Sequence, residues 1–96
     1  MRILLALALV AVSLATAQAA SSEPPAGAAA CTGCHPANTG VEMPVPRLAG
    51  RNAADIVAAM QAFRSGQTPA TVMDRIAKGF TVEEIQAIAA WYAAQR

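Results

Sequence analysis

Both cysteines and the single histidine of this 96-residue chain fall in one pentapeptide, Cys31-Thr32-Gly33-Cys34-His35. Two thiols separated by two residues, followed at once by an imidazole, form the C-x-x-C-H pattern of a c-type haem attachment site. Each thiol can add to one vinyl group of the porphyrin and form a thioether. The next residue then offers a ring nitrogen to the iron from one face. The spacing is strict because the porphyrin fixes the distance between its vinyls. Other uses of these residues fit less well. A Cys31–Cys34 disulfide or a thioredoxin-like dithiol would need an oxidising compartment or a βαβ setting, and no alternating strand pattern is present. A structural zinc site needs four ligands, and no Cys or His follows His35.

An iron held by His35 has a second axial position, and a Met thioether there raises the reduction potential. Met43, Met60 and Met73 follow the pentapeptide. Met43 comes eight residues after His35, and eight extended residues reach at most about 28 Å, barely enough to round a haem. Met60 lies on the apolar face of a predicted helix, where Met usually fills core space. Met73 comes 38 residues after His35 with a whole helix between them, so the chain can cross the haem and approach from the far side. Met73 is the favoured ligand, with Met43 and Met60 as alternatives. The remaining ring nitrogen of a ligating His normally donates to a carbonyl or carboxylate. Pro44 and Pro46, rigid residues in the following loop, are both candidate carriers of that carbonyl.

The elements that must position these groups are all helical. Gly27 to Ala30 can form a helical turn running into Cys31. Residues 36 to 50 carry three prolines and two glycines and read as loop, and a connection of that length usually has a function. Asn52 can cap a helix with Asp55 in its first turn. This helix runs to about Arg64, stops at Ser65-Gly66, and places Ile56, Met60 and Phe63 on one face. Thr68-Pro69 reads as an N-cap followed by Pro at the first helical position, opening a short helix that ends at Lys78-Gly79. Thr81-Val82-Glu83-Glu84 is a capping box, with Phe80 and Ile85 placed for a hydrophobic staple. The last helix runs from Val82 to near Gln95, with Ile85, Ile88 and Tyr92 on one stripe and Trp91 beside it. The fold class is all-α.

Met1 and Arg2 are followed by an apolar run to about Ala17 and by Ala17-Gln18-Ala19. A charged start, an apolar stretch and a small-residue exit make a secretory signal peptide, predicted over 1–19, with a flexible leader over 20–26 and one domain over 27–96. The run is short for a membrane span. Much of the 55% hydrophobic content belongs to this segment. Without Arg2, six basic residues face six acidic ones, so nothing implies a nucleic-acid or strongly charged membrane partner. The remainder is near the size at which a protein core alone is marginal. One covalently bound haem would supply the missing core, and the apoprotein is expected to fold poorly.

The order Cys31-Thr32-Gly33-Cys34-His35, then Pro46-Arg47-Leu48-Ala49-Gly50, then Met73, then Ile85 to Tyr92 resembles a class I cytochrome c over nearly the whole predicted domain. The resemblance implies a small helical fold around one haem c. It selects Pro46 as the carbonyl partner of His35 and Met73 as the second metal ligand. It also implies that Trp91 packs against the N-terminal helix near the haem crevice. The stretches Phe63-Arg64-Ser65-Gly66 and Thr71 to Phe80 are similar to the cytochrome subunit of flavocytochrome c sulfide dehydrogenase and to small soluble cytochromes of sulfur-oxidising and photosynthetic bacteria. Such a likeness implies redox-protein partners, a flavoprotein subunit among them, and a periplasmic location. Two positions depart from the pattern: Pro36 follows the His where Gly is frequent, and Gly27 stands where the family carries an aromatic.

Three functions compete. A monohaem electron carrier has no chemistry of its own beyond electron transfer, and Arg47, Arg51, Arg64, Arg75 and Lys78 could guide its docking or simply be solvated. A gas-binding or peroxidatic haem protein needs an open sixth position. A haem-free thiol protein needs only the two cysteines.

Overall fold

A computed structural model describes residues 23–38, 40 and 42–95. The predicted signal peptide lies outside the described residues. Among those described there are four helices and no strand: α1 (Ala28–Thr32), α2 (Ala53–Ser65), α3 (Met73–Lys78) and α4 (Val82–Ala94).

Each boundary has a local cause. α1 starts after Gly27, whose φ of 87° is left-handed; an ideal Cβ at this residue would lie 2.6 Å from Phe80 Cε1. Both facts require glycine here. α2 begins where the Asn52 side chain accepts from the amides of Ala54 (2.9 Å) and Asp55 (3.3 Å), and it ends at Gly66 in the left-handed region, φ 80°. α4 begins with a complete capping box. Thr81 Oγ1 accepts from the Glu84 amide at 3.1 Å, and Glu84 Oε1 accepts from the Thr81 amide at 3.0 Å.

The third helix departs from expectation. It starts at Met73 after Val72, which makes no side-chain cap, not at Thr68-Pro69. The Thr68 amide instead donates to the Ala62 carbonyl at 3.2 Å, closing the end of α2. Residues 69–72 then run non-helical along an apolar cavity. The cap-and-proline signal was local, and tertiary placement overrides it.

α2 packs against both α3 and α4. The core cluster joins Ala28, Ile56, Ile88, Ala89 and Tyr92, with Phe80 and Trp91 packed against it. Across the described residues the buried apolar set is Ala28, Ala49, Ile56, Ala77, Ile85, Ile88, Ala89 and Tyr92. Half of these are alanines, so the core removes little apolar area from water. Ile56, Ile85 and Ile88 line a cavity as well as belonging to this set.

Candidate functional site

The pentapeptide is shaped by one carbonyl. Cys31 O accepts from the amides of both Cys34 (3.1 Å) and His35 (2.8 Å). This double acceptance turns the chain at the end of α1, and Cys31, Cys34 and His35 all line the same cavity. No disulfide joins the two cysteines; Cys34 is exposed and Cys31 half-buried. Burial pushes the Cys31 thiol pKa up, because the thiolate is poorly solvated there.

His35 is buried, and its Nδ1 lies 2.7 Å from the Pro46 carbonyl oxygen. A carbonyl only accepts, so Nδ1 carries the proton and Nε2 keeps its lone pair. Of the two loop prolines left open by physical reasoning, Pro46 holds this position. The His35 backbone carbonyl accepts from the Tyr92 hydroxyl at 2.6 Å, a buried bond across 57 residues. Burial, and then the charge of Cys31, raise the Tyr92 pKa to about 12, so the hydroxyl remains a donor at neutral pH. Tyr92 also accepts at its own carbonyl from the Gly50 amide, at 2.9 Å.

The cavity has a volume of about 310 Å³, within the range of small-molecule and cofactor sites. Among the described residues no Asp, Glu, Lys or Arg side chain lines it, and the titratable ones that do are Cys31, Cys34 and His35. Such a wall suits a large apolar body and supplies no cationic side chain to an anion buried within it. The α2 face contributes Ile56, Met60 and Phe63, as the helical spacing predicts. Met73, half-buried at the start of α3, lines the cavity too. Met43 is placed elsewhere: it is 46% exposed and lies beside Glu42 and Arg47. The structure therefore brings Cys31, Cys34, His35, Pro46, Met60 and Met73 to one space and leaves Met43 out.

Two thiols, an imidazole with a free Nε2, a thioether and a charge-free wall fit a haem in donor chemistry and in polarity. They do not fit structural zinc. Among the described residues no group of three or more His, Cys, Asp or Glu is arranged to hold a metal ion.

Sequence reasoning did not foresee the Tyr92–His35 bond, the Gly50–Tyr92 bond or the approach of Phe80 to Gly27. Only the placement of Tyr92 on the apolar stripe of α4 hinted at the first.

No protein-family model matches this chain. It is 37% identical over 62 residues to the "Cytochrome subunit of sulfide dehydrogenase" of Chlorobaculum tepidum, a match covering 65% of this chain and 56% of that one. It is also 37% identical over 67 residues to the "Thiosulfate dehydrogenase electron acceptor" of Stutzerimonas stutzeri, covering 66% of this chain and 31% of that one. The chain thus spans about half the length of the first relative and about a third of the second.

Proposed function

We propose that this all-α chain, similar to a cytochrome subunit and to an electron acceptor of two sulfur-compound dehydrogenases, is a periplasmic monohaem electron carrier. Cys31 and Cys34 would hold the haem by adding their thiols across its vinyl groups as thioethers, and His35 Nε2 and Met73 Sδ would hold its iron. When bound, the haem would supply a one-electron iron couple. The chain's own residues do the rest. Pro46 holds the His35 ring in the tautomer that leaves Nε2 free. The uncharged wall excludes water, which keeps the reorganisation accompanying a change of charge small. The periplasmic assignment rests on the signal pattern of residues 1–19.

The observation that carries this reading is the His35 ring: buried, bonded at Nδ1 to Pro46, and facing the same apolar space as both thiols and Met73. The electron source we propose is an enzyme that oxidises a reduced sulfur compound, with a sulfide-oxidising flavoprotein subunit as the leading partner. Both relatives are named for sulfur-compound dehydrogenases. No helix among the described residues is long and apolar enough to cross a membrane. Arg47, Arg51, Arg64, Arg75 and Lys78 are all exposed and would meet a partner surface of opposite sign.

Purification from the native extract tests the partnership. Co-elution of flavin absorbance with this chain, and reduction of its haem on adding sulfide, are expected. Elution alone with no reduction by sulfide removes that partner. Rapid binding of carbon monoxide by the reduced protein instead identifies an open sixth position and a gas-binding or peroxidatic protein.

A further inference from the structure

Three hydrogen bonds around His35 close a loop through one residue. His35 Nδ1–H donates to the Pro46 carbonyl at 2.7 Å. Four residues beyond Pro46 in the same loop, the Gly50 amide donates to the Tyr92 carbonyl at 2.9 Å. The Tyr92 hydroxyl in turn donates to the His35 carbonyl at 2.6 Å. One end of the His35–Pro46 bond therefore hangs from the backbone of Tyr92, and the other from its side chain. Tyr92 is fully buried and sits in the last turn of α4, an element anchored at its start by its own capping box. A buried O–H···O bond of this length is at the short end of the ordinary range, and its partner carbonyl would be left unsatisfied without it.

We propose that Tyr92 is a positioning residue for the metal ligand, setting the geometry of the His35–Pro46 hydrogen bond from both sides. This inference rests on the haem reading above. The physical consequence runs through ligand basicity. Donation from Nδ1–H to a carbonyl makes the imidazole a stronger electron donor at Nε2, which favours the ferric state. When the bond loosens, that preference weakens and the reduction potential rises. Tyr92 does not touch the haem in this account; it acts through His35.

Tyr92→Phe keeps the ring and removes only the hydroxyl. Haem content is scored first in the wild type and the variant, by staining after denaturing electrophoresis. The exchange rate of the His35 Nδ1 proton is then followed by NMR in the ferrous holoprotein, and the potential is measured by redox titration. Exchange at least about tenfold faster is expected in the variant. The ferric–ferrous equilibrium is expected to move roughly three- to tenfold toward ferrous, the upper figure corresponding to about 59 mV for one electron. A variant with lowered thermal stability but unchanged exchange and potential shows a merely structural tyrosine and overturns the proposal while leaving the haem reading intact. A wild type without covalent haem defeats the haem reading and this inference with it. If the variant does not accumulate, the wild type still decides. A slowly exchanging Tyr92 hydroxyl proton with a cross-peak to His35 is expected, and a freely exchanging one overturns the assignment.

Discussion

The Pro46 carbonyl oxygen stands 2.7 Å from His35 Nδ1, eleven residues away in the chain. That single contact fixes the tautomer of the chain's only histidine, a residue that lines the apolar cavity, and leaves its Nε2 lone pair unprotonated. Pro46→Ala keeps the carbonyl but frees the backbone that carries it. The expected result is a loss of about 0.4–1 kcal/mol in stability, because the unfolded chain gains freedom, together with an upward shift in potential. Chemical denaturation and redox titration of the same sample check both.

Met73 and Met43 separate cleanly by placement. Met73 lines the cavity, and Met43 is exposed away from it. Met73→Leu should abolish the sulfur-to-iron charge-transfer absorption of the ferric protein and let the ferrous protein bind carbon monoxide. Met43→Leu should do neither. Met60→Leu should keep the ferric absorption and cost less than about 1.5 kcal/mol, as volume-conserving swaps do. Loss of the absorption in the Met60 variant instead would reassign the ligand.

Gly27 and Phe80 show what a sequence does and does not disclose. Gly27 was legible only as a departure from a family pattern. The structure shows a left-handed backbone with an aromatic edge where a Cβ would go. Gly27→Ala should cost about 1–3 kcal/mol from backbone strain plus the clash. Adding Phe80→Leu should recover the clash and leave the strain, so a double-mutant cycle should give a clear coupling. Additive losses would contradict this contact.

The pH dependence of stability should carry the mark of Tyr92. Its ordinary pKa is about 10, and in the folded chain it rises to about 12, by burial first and the Cys31 charge second. A raised pKa favours the protonated form in the folded state. Its contribution to stability is therefore whole below about pH 10 and is lost as pH rises toward 12. Urea midpoints measured from pH 9 to 12 should fall, and Tyr92→Phe should remove that part of the fall. An identical profile in the variant would show that another group causes it. Once Cys31 is a thioether it cannot ionise, and only the burial contribution remains.

Much of the fold could be read from local chemistry. Asn52, Gly66 and the Thr81–Glu84 box mark helix ends through bonds between near neighbours, and apolar spacing on α2 and α4 picks out the residues that now line the cavity or core. The gathering of Cys31, Cys34, His35 and Met73 at one cavity was legible because their chemistry demands a spacing or a reach. Three features were not. The start of α3 carries a plausible cap and proline at Thr68-Pro69, yet that segment runs non-helical along the cavity. The Tyr92–His35 bond joins residues 57 apart, and no local rule reports it. The choice between Pro44 and Pro46 needed the path of the loop, which physical reasoning on sequence alone leaves open.

The most direct test of the whole account is the intact mass of this chain after export through a working cytochrome maturation pathway. The account predicts a mature polypeptide plus one haem, with the addition lost when Cys31 and Cys34 are both changed to Ala. A compact, helical and colourless protein of bare polypeptide mass would contradict it.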